Sequence, residues 1–225
     1  MKGVLRLENA SYGHLRIRVQ VFVLALAAAL GLAAAPAEAR PLRVVALGDS
    51  LTAGYGLPPG EAFPDVLQRA LKARGWEVEV ANAGVSGETA EDGLARYDWS
   101  VPAGTDALIV ELGANDMLRG MPPEGAEVAL GRILDKAREA HIATLLAGMR
   151  AIANFGPDYQ RRFDAIYPDL AKNTGVALYP FFLDGVVGDP TLVQRDGLHP
   201  TREGVEKIAA AILPSVEGVL AAVKP

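Results

Sequence analysis

Cysteine is absent from the 225 residues, and that omission removes several chemistries at once. It excludes a disulfide framework, a thiolate nucleophile, a Cys-ligated zinc site and a lipid-modified cysteine behind a cleaved leader. Core packing alone must hold the chain together. Histidine is scarce, with three copies, so any search for a general base is short. Positive charge does not prevail either: the formal net charge of -5 argues against a nucleic-acid partner, because phosphate binding relies on basic patches. Beyond residue 40 there is no internal repeat, low-complexity linker or break in composition.

The apolar segment Val21 to Ala35 is short for a comfortable membrane span and consists mostly of Ala and Leu. Lys2, Arg6, Arg16 and Arg18 precede it, and Ala37-Glu38-Ala39 follows. Basic, then apolar, then small-x-small is the order of a secretory signal peptide, here residues 1–39, cut after Ala39. An uncleaved membrane anchor is the alternative, and the long basic region leaves open a start codon downstream of Met1. No adjacent arginine pair precedes the apolar run, which favours the general export route over the twin-arginine one. Cleavage removes four basic and two acidic side chains, taking the formal charge from -5 to -7. Residues 40–225 then make one domain with a substantial core, periplasmic or secreted, with no stable membrane anchor after cleavage. A monomer is expected.

What is present in that domain alternates. Leu42 to Leu47 is an apolar run too short for a helix, so it reads as a buried strand ending at Gly48. Phe63 to Arg74 carries Val66, Leu67, Ala70 and Leu71 at helical spacing and stops at Gly75. Val78 and Val80 alternate with glutamates in a second strand leading into Asn82-Ala83-Gly84. Thr89 with Asp92 marks a helix start. Ala107 to Leu112 is a third strand. A long helix over Glu124 to Ala140 should turn Val128, Leu130, Ile133, Leu134 and Ala137 inward. Ala143 to Ala147 and Val176 to Leu178 are further strands, separated by a loop from Met149 to Asp158 and a helix from Tyr159 to Thr174. A last helix runs from Thr201 to about Val223. Such alternation calls for a parallel sheet with helices on both faces. Right-handed crossovers put the strand carboxyl ends on one edge, where Ser50, Gly84 and Asn115 should gather.

A serine hydroxyl becomes a nucleophile only when a positioned base takes its proton. His14 precedes the expected cleavage point, and His141 sits at a helix C-terminus, where a surface cation is favourable without any catalytic role. His199 is left, in Asp196-Gly-Leu-His199-Pro200. Residues three apart in a turn approach each other, so Asp196 can hold one ring nitrogen and leave the other free, the orienting task of a triad carboxylate. A turn in which the two merely satisfy each other is the alternative, as is Asp49 or Ser50 acting only as a helix cap. Acyl transfer also needs donors facing the oxygen that turns negative, and the Ser50 amide, the Gly84 amide and the Asn115 side chain are the candidates for this oxyanion hole. Apolar residues in loops expected at the rim, Met117, Met121, Ile152, Phe155 and Tyr159, are candidate walls for an acyl group. Phe155 and Tyr159 serving only to anchor their loop is the competing reading.

Gly-Asp-Ser50, Gly84, Gly-x-Asn115-Asp and Asp196-x-x-His199-Pro fall in one order after alternating strands. This pattern resembles the SGNH (GDSL) hydrolase superfamily over essentially the whole of residues 40–225. The segments Leu47 to Tyr55, Asn82 to Thr89, Glu111 to Gly120, Ile166 to Lys172 and Pro180 to Phe182 look like its periplasmic acyl-CoA thioesterase, lysophospholipase and arylesterase subgroup. The resemblance implies a three-layer α/β/α sandwich on a five-stranded parallel, flavodoxin-like sheet. It implies Ser50 as nucleophile, His199 as base, Asp196 as its partner, and Ser50, Gly84 and Asn115 as oxyanion donors. The substrate implied is a small acyl ester or thioester, with no metal or organic cofactor. Glu88 stands where the family often has aspartate, and the Ile152 to Pro157 loop is weakly patterned; both bear on acyl-chain preference. The sequence leaves room for a carbohydrate O-acetylesterase, or for a catalytically silent ligand-binding protein of the same fold.

Overall fold

The first strand, β1 (Leu42–Gly48), places Val44, Val45, Ala46 and Leu47 all out of contact with water. That is the signature of a strand covered on both faces rather than one. In the computed structural model, residues 40–223 are described, and the expected signal peptide over residues 1–39 lies outside them.

Around β1 assemble β2 (Val78–Gly84), β3 (Ala107–Glu111), β4 (Ala143–Ala147) and β5 (Ala177–Tyr179), in the order β2-β1-β3-β4-β5. Every pairing is parallel. This is the flavodoxin-like order, and it reverses direction between β1 and β3, the place where ligands seat in open parallel sheets. Gly48 and Glu111 are paired across that point, so the chain leaving β1 toward Ser50 runs beside the chain leaving β3 toward Asn115. The outer strand β2 turns Glu79, Ala81 and Asn82 to solvent, as suits a sheet edge that must not template another chain.

The helices are α1 (Ser50–Ala53), α2 (Phe63–Ala73), α3 (Ala90–Ala95), α4 (Tyr97–Ser100), α5 (Ala114–Leu118), α6 (Pro123–Glu139), α7 (Pro157–Thr174) and α8 (Arg202–Ala221). Thr89 and Asp92 form a reciprocal capping box at the start of α3. Thr201 caps α8 by accepting from the Gly204 amide at 3.3 Å. In α6 the buried stripe is Ala126, Ala129, Leu130, Ile133, Leu134 and Ala137. Val128, expected inward, is 53% exposed: it stands two residues from both Ala126 and Leu130, which on a helix is the opposite side. Four large side chains, Phe63, Phe163, Tyr167 and Phe182, are fully buried, each worth about 1.5–3 kcal/mol on transfer from water. Phe63 meets Phe182 edge-on at 5.0 Å. Among the described residues no helix is long and apolar enough to cross a membrane.

Candidate active site

At the end of β1 the chain must turn sharply. A Cβ at Gly48 would lie 2.1 Å from Thr52 Oγ1, so only glycine fits there. Buried Asp49 caps α1 by accepting from the Leu51 amide at 3.0 Å, and Gly54 closes the short helix in the left-handed region at φ 80°. Ser50 is thereby held as the first residue of α1.

From the opposite end of the chain comes His199, whose Nε2 lies 2.8 Å from Ser50 Oγ. Its Nδ1 lies 2.6 Å from Asp196 Oδ2. The other Asp196 oxygen accepts from the Leu198 and His199 amides at 2.9 and 3.0 Å, so the carboxylate closes its own turn. Desolvation would raise its pKa, but the Leu198 amide, the His199 ring and the His199 amide together outweigh it and hold Asp196 at about 2. An ionised Asp196 keeps the ring proton on Nδ1, leaving Nε2 to accept from the serine. Tyr55 packs against the imidazole with ring centroids 4.5 Å apart. Gln194 ties the two loops together by donating to Tyr55 O at 2.7 Å and Pro200 O at 3.0 Å. His141 is exposed, at the start of β4 and remote from this edge.

Two more carboxyls lie beneath the serine. Burial pushes Asp49 up to about 6, against the Leu51 hydrogen bond, the nearby His199 and the Asn115 hydrogen bond; Asp116 adds to the rise. Glu111 is wholly buried and accepts from Thr52 Oγ1 at 2.6 Å, with no side-chain partner for its second oxygen among the described residues. Burial first and neighbouring Asp49 second raise its pKa well above the usual carboxylate range. Asp116 receives the Ala90 amide at 2.9 Å and braces α5 against α3. Tyr167 donates to Leu112 O at 2.9 Å and pins the same loop from α7.

The expected oxyanion donors divide. Asn115 reaches the site, its amide donating to Asp49 Oδ2 and to Glu88 O at 2.9 Å each. A developing negative oxygen must compete with those two acceptors. The Ser50 amide has no acceptor among the described residues. Gly84 is a correction: its amide donates to Asn82 Oδ1 at 2.9 Å, and it does not line the cleft. A Cβ there would come within 2.3 Å of Ala53 N, so this glycine serves the packing of β2 on the α1 turn. Three residues on, Gly87 does line the cleft, at φ +87°, with its carbonyl taken by Arg119 and its amide without an acceptor among the described residues. The turn Val85-Ser86-Gly87, beyond the strand end instead of within it, was the signal for this residue.

Ser50 and His199 open into a cleft of about 520 Å³ whose walls are mainly apolar. Met117 and Ile152 line it as expected; Met121, Phe155 and Tyr159 do not. Phe155 lies over Gly120 and against Tyr159 at 5.0 Å, and Tyr159 continues to Phe163 at 6.1 Å. These rings anchor the loop on α7, and the part of Phe155 that stays exposed, 40%, is not on the cleft wall. Their place is taken by Met149, Phe181, Leu183, Val187 and Leu198, from the loops beyond β4 and β5 and from the His199 turn. Among the described residues no cluster of three or more His, Asp or Glu could hold a metal ion.

The profile of the GDSL-like Lipase/Acylhydrolase family matches residues 46–207, a span that holds all of these groups. The chain belongs to that family. Among its relatives is the thioesterase 1/protease 1/lysophospholipase L1 of Escherichia coli K12, 40% identical over 74% of this chain and 79% of the relative. An arylesterase of Vibrio mimicus is 38% identical over 74% of this chain and 84% of its own length. The crystal structure of AlinE4, an SGNH-hydrolase family esterase, superposes with a TM-score of 0.68 at 44% identity, covering 82% of this chain and 99% of that one. The SGNH resemblance in the sequence and the all-parallel α/β sheet agree with this membership.

Proposed function

We propose that this family member is a serine ester and thioester hydrolase working through an acyl-enzyme. The observation that carries the reading is the 2.8 Å contact between Ser50 Oγ and His199 Nε2 at the edge of an apolar cleft. Ser50 Oγ attacks the acyl carbon while its proton passes to Nε2, and Asp196 stabilises the imidazolium. The Ser50 and Gly87 amides and Asn115 stabilise the resulting oxyanion. Collapse of the tetrahedral intermediate expels the alcohol or thiol, which takes the proton from His199. Water then attacks the acyl-serine and gives a proton to Nε2; the acyl C–Oγ bond breaks, that proton returns to Ser50 Oγ, and the carboxylic acid leaves.

The apolar walls suit an acyl chain better than an acetylated sugar. The names of the relatives, arylesterase, thioesterase and lysophospholipase, supply the substrates to try. The order of residues 1–39 supports an exported protein whose mature chain begins at Arg40, which N-terminal sequencing of the secreted or periplasmic form tests. For catalysis, Ser50→Ala should reduce hydrolysis of a p-nitrophenyl acyl ester by roughly 10³-fold or more with the fold intact. Undiminished turnover would overturn the assignment.

A further inference from the structure

Arg150 follows Met149 in the loop beyond β4 and, among the described residues, is the only lysine or arginine that lines the cleft. Its guanidinium carbon stands 5.1 Å from the centroid of the Phe181 ring, on the neighbouring loop. Arg74, Arg96, Arg138, Arg161, Arg162 and Arg202 all pair with carboxylates. Arg150 has no carboxylate partner among the described residues. Among the described residues the one carboxyl on the cleft wall is Asp49, which is buried and engaged with the Leu51 and Asn115 N–H groups.

An exposed guanidinium stacked on an aromatic face loses side-chain freedom before any ligand arrives, and its planar fork matches a phosphate in bidentate fashion. The surrounding chain is acidic, at -5 overall, so an anionic substrate meets general repulsion that Arg150 relieves at the cleft wall. We infer that Arg150 is a specificity-determining residue that binds a phosphate on the part of the substrate left outside the apolar cleft. This rests on the hydrolase reading above and narrows it to phosphate-bearing acyl esters and thioesters. Two sources share that chemistry, the nucleotide end of an acyl-CoA and the headgroup of a lysophospholipid.

The test compares wild type, Arg150→Gln and Arg150→Lys on palmitoyl-CoA, palmitoyl lysophosphatidylglycerol and uncharged p-nitrophenyl palmitate. Arg150→Gln should lower kcat/KM about tenfold on a phosphate-bearing substrate, chiefly through KM, and change the uncharged ester less than about twofold. Arg150→Lys should recover much of the loss, and 0.5 M NaCl should erase most of the difference between wild type and Gln. A loss confined to palmitoyl-CoA identifies the nucleotide end, and one confined to the lysolipid identifies the headgroup; both uphold the proposal. Equal losses on charged and uncharged esters, or none on either charged one, overturn it. In a Ser50→Ala background, where no turnover is needed, adding Arg150→Gln should raise the Kd for palmitoyl-CoA or for the lysolipid about tenfold, and unchanged Kd values for both would overturn it as well. Wild-type hydrolysis of the uncharged ester reports on the hydrolase reading separately.

Discussion

His199 Nε2 approaches Ser50 Oγ to 2.8 Å across 149 positions of chain, and Asp196, three residues from the histidine, fixes which ring nitrogen makes that approach. Removing the carboxylate charge should spoil the tautomer more than the fold, because an amide oxygen in Asp196→Asn can still accept from the Leu198 and His199 amides. Asp196→Asn should lower kcat on p-nitrophenyl esters by roughly 10²–10⁴ with KM nearly unchanged. A carboxylate held at about 2 stays ionised through the working range, so Asp196 contributes no titration of its own to kcat/KM between acid and neutral pH. A carboxyl NMR titration with Asp196 unchanged across that range supports this, and one in which Asp196 takes up a proton there contradicts it.

Asp49 titrates in the opposite sense to Asp196. Its folded-state pKa of about 6 stands above the ordinary 3.8, so between those values the unfolded chain is ionised while the folded one holds its proton. Stability therefore falls as pH rises from about 4 to about 6, and above that the folded protein carries the full cost of a buried charge. Asp49→Asn removes the titration. Thermal melts should show the variant gaining on wild type as pH goes from 4 to 7, whatever its absolute Tm, while activity drops because Asn115 loses a charged acceptor. A difference in Tm that stays constant with pH would contradict the assignment of a buried, raised carboxyl.

Gly84 and Gly87 should fail differently. A methyl at position 84 would collide with the Ala53 and Asp49 backbone, so Gly84→Ala should cost roughly 1–3 kcal/mol in urea unfolding. At position 87 the nearest atom to an added Cβ is 3.9 Å away, but φ is +87°. Gly87→Ala should therefore cost only about 1–2 kcal/mol while lowering kcat of the folded fraction about tenfold or more, since its amide would tilt off the oxyanion.

The aromatic ladder makes a further separation. Phe155→Ala should loosen the loop over Gly120 and lower Tm, leaving the ranking of short- and long-chain p-nitrophenyl esters as in wild type. Leu183→Trp, on the cleft wall, should shift that ranking toward short chains. A chain-length shift in Phe155→Ala instead would restore Phe155 to the acyl site.

The parallel sheet was legible in the alternation of short apolar runs with helical stretches, and its strand order only through the family resemblance; Ser50, Asp196 and His199, singled out by a Gly-Asp-Ser turn and an Asp-x-x-His turn, lie within hydrogen-bond reach of one another. What escaped depends on contacts between distant segments. Val128 is apolar in a helix whose inward stripe is partly alanine, so hydrophobicity alone misjudged its side. Gly84 and Gly87 both follow the apolar part of β2, and only the pairing of Gly84 with Gly48 shows that the strand runs through the first and ends before the second. Phe155 and Tyr159 have the composition of a binding wall, but their ring contacts run along α7 and neither lines the cleft. Glu111 read as the end of a strand; nothing in its neighbours along the chain signals a buried acid under the serine.

The most direct measurement is covalent trapping. Folded wild-type protein treated with a fluorophosphonate and digested for mass spectrometry should carry one adduct, on Ser50, formed far more slowly in His199→Ala. An intact, folded protein that shows no adduct on Ser50, or reacts equally fast without the histidine, would contradict the account.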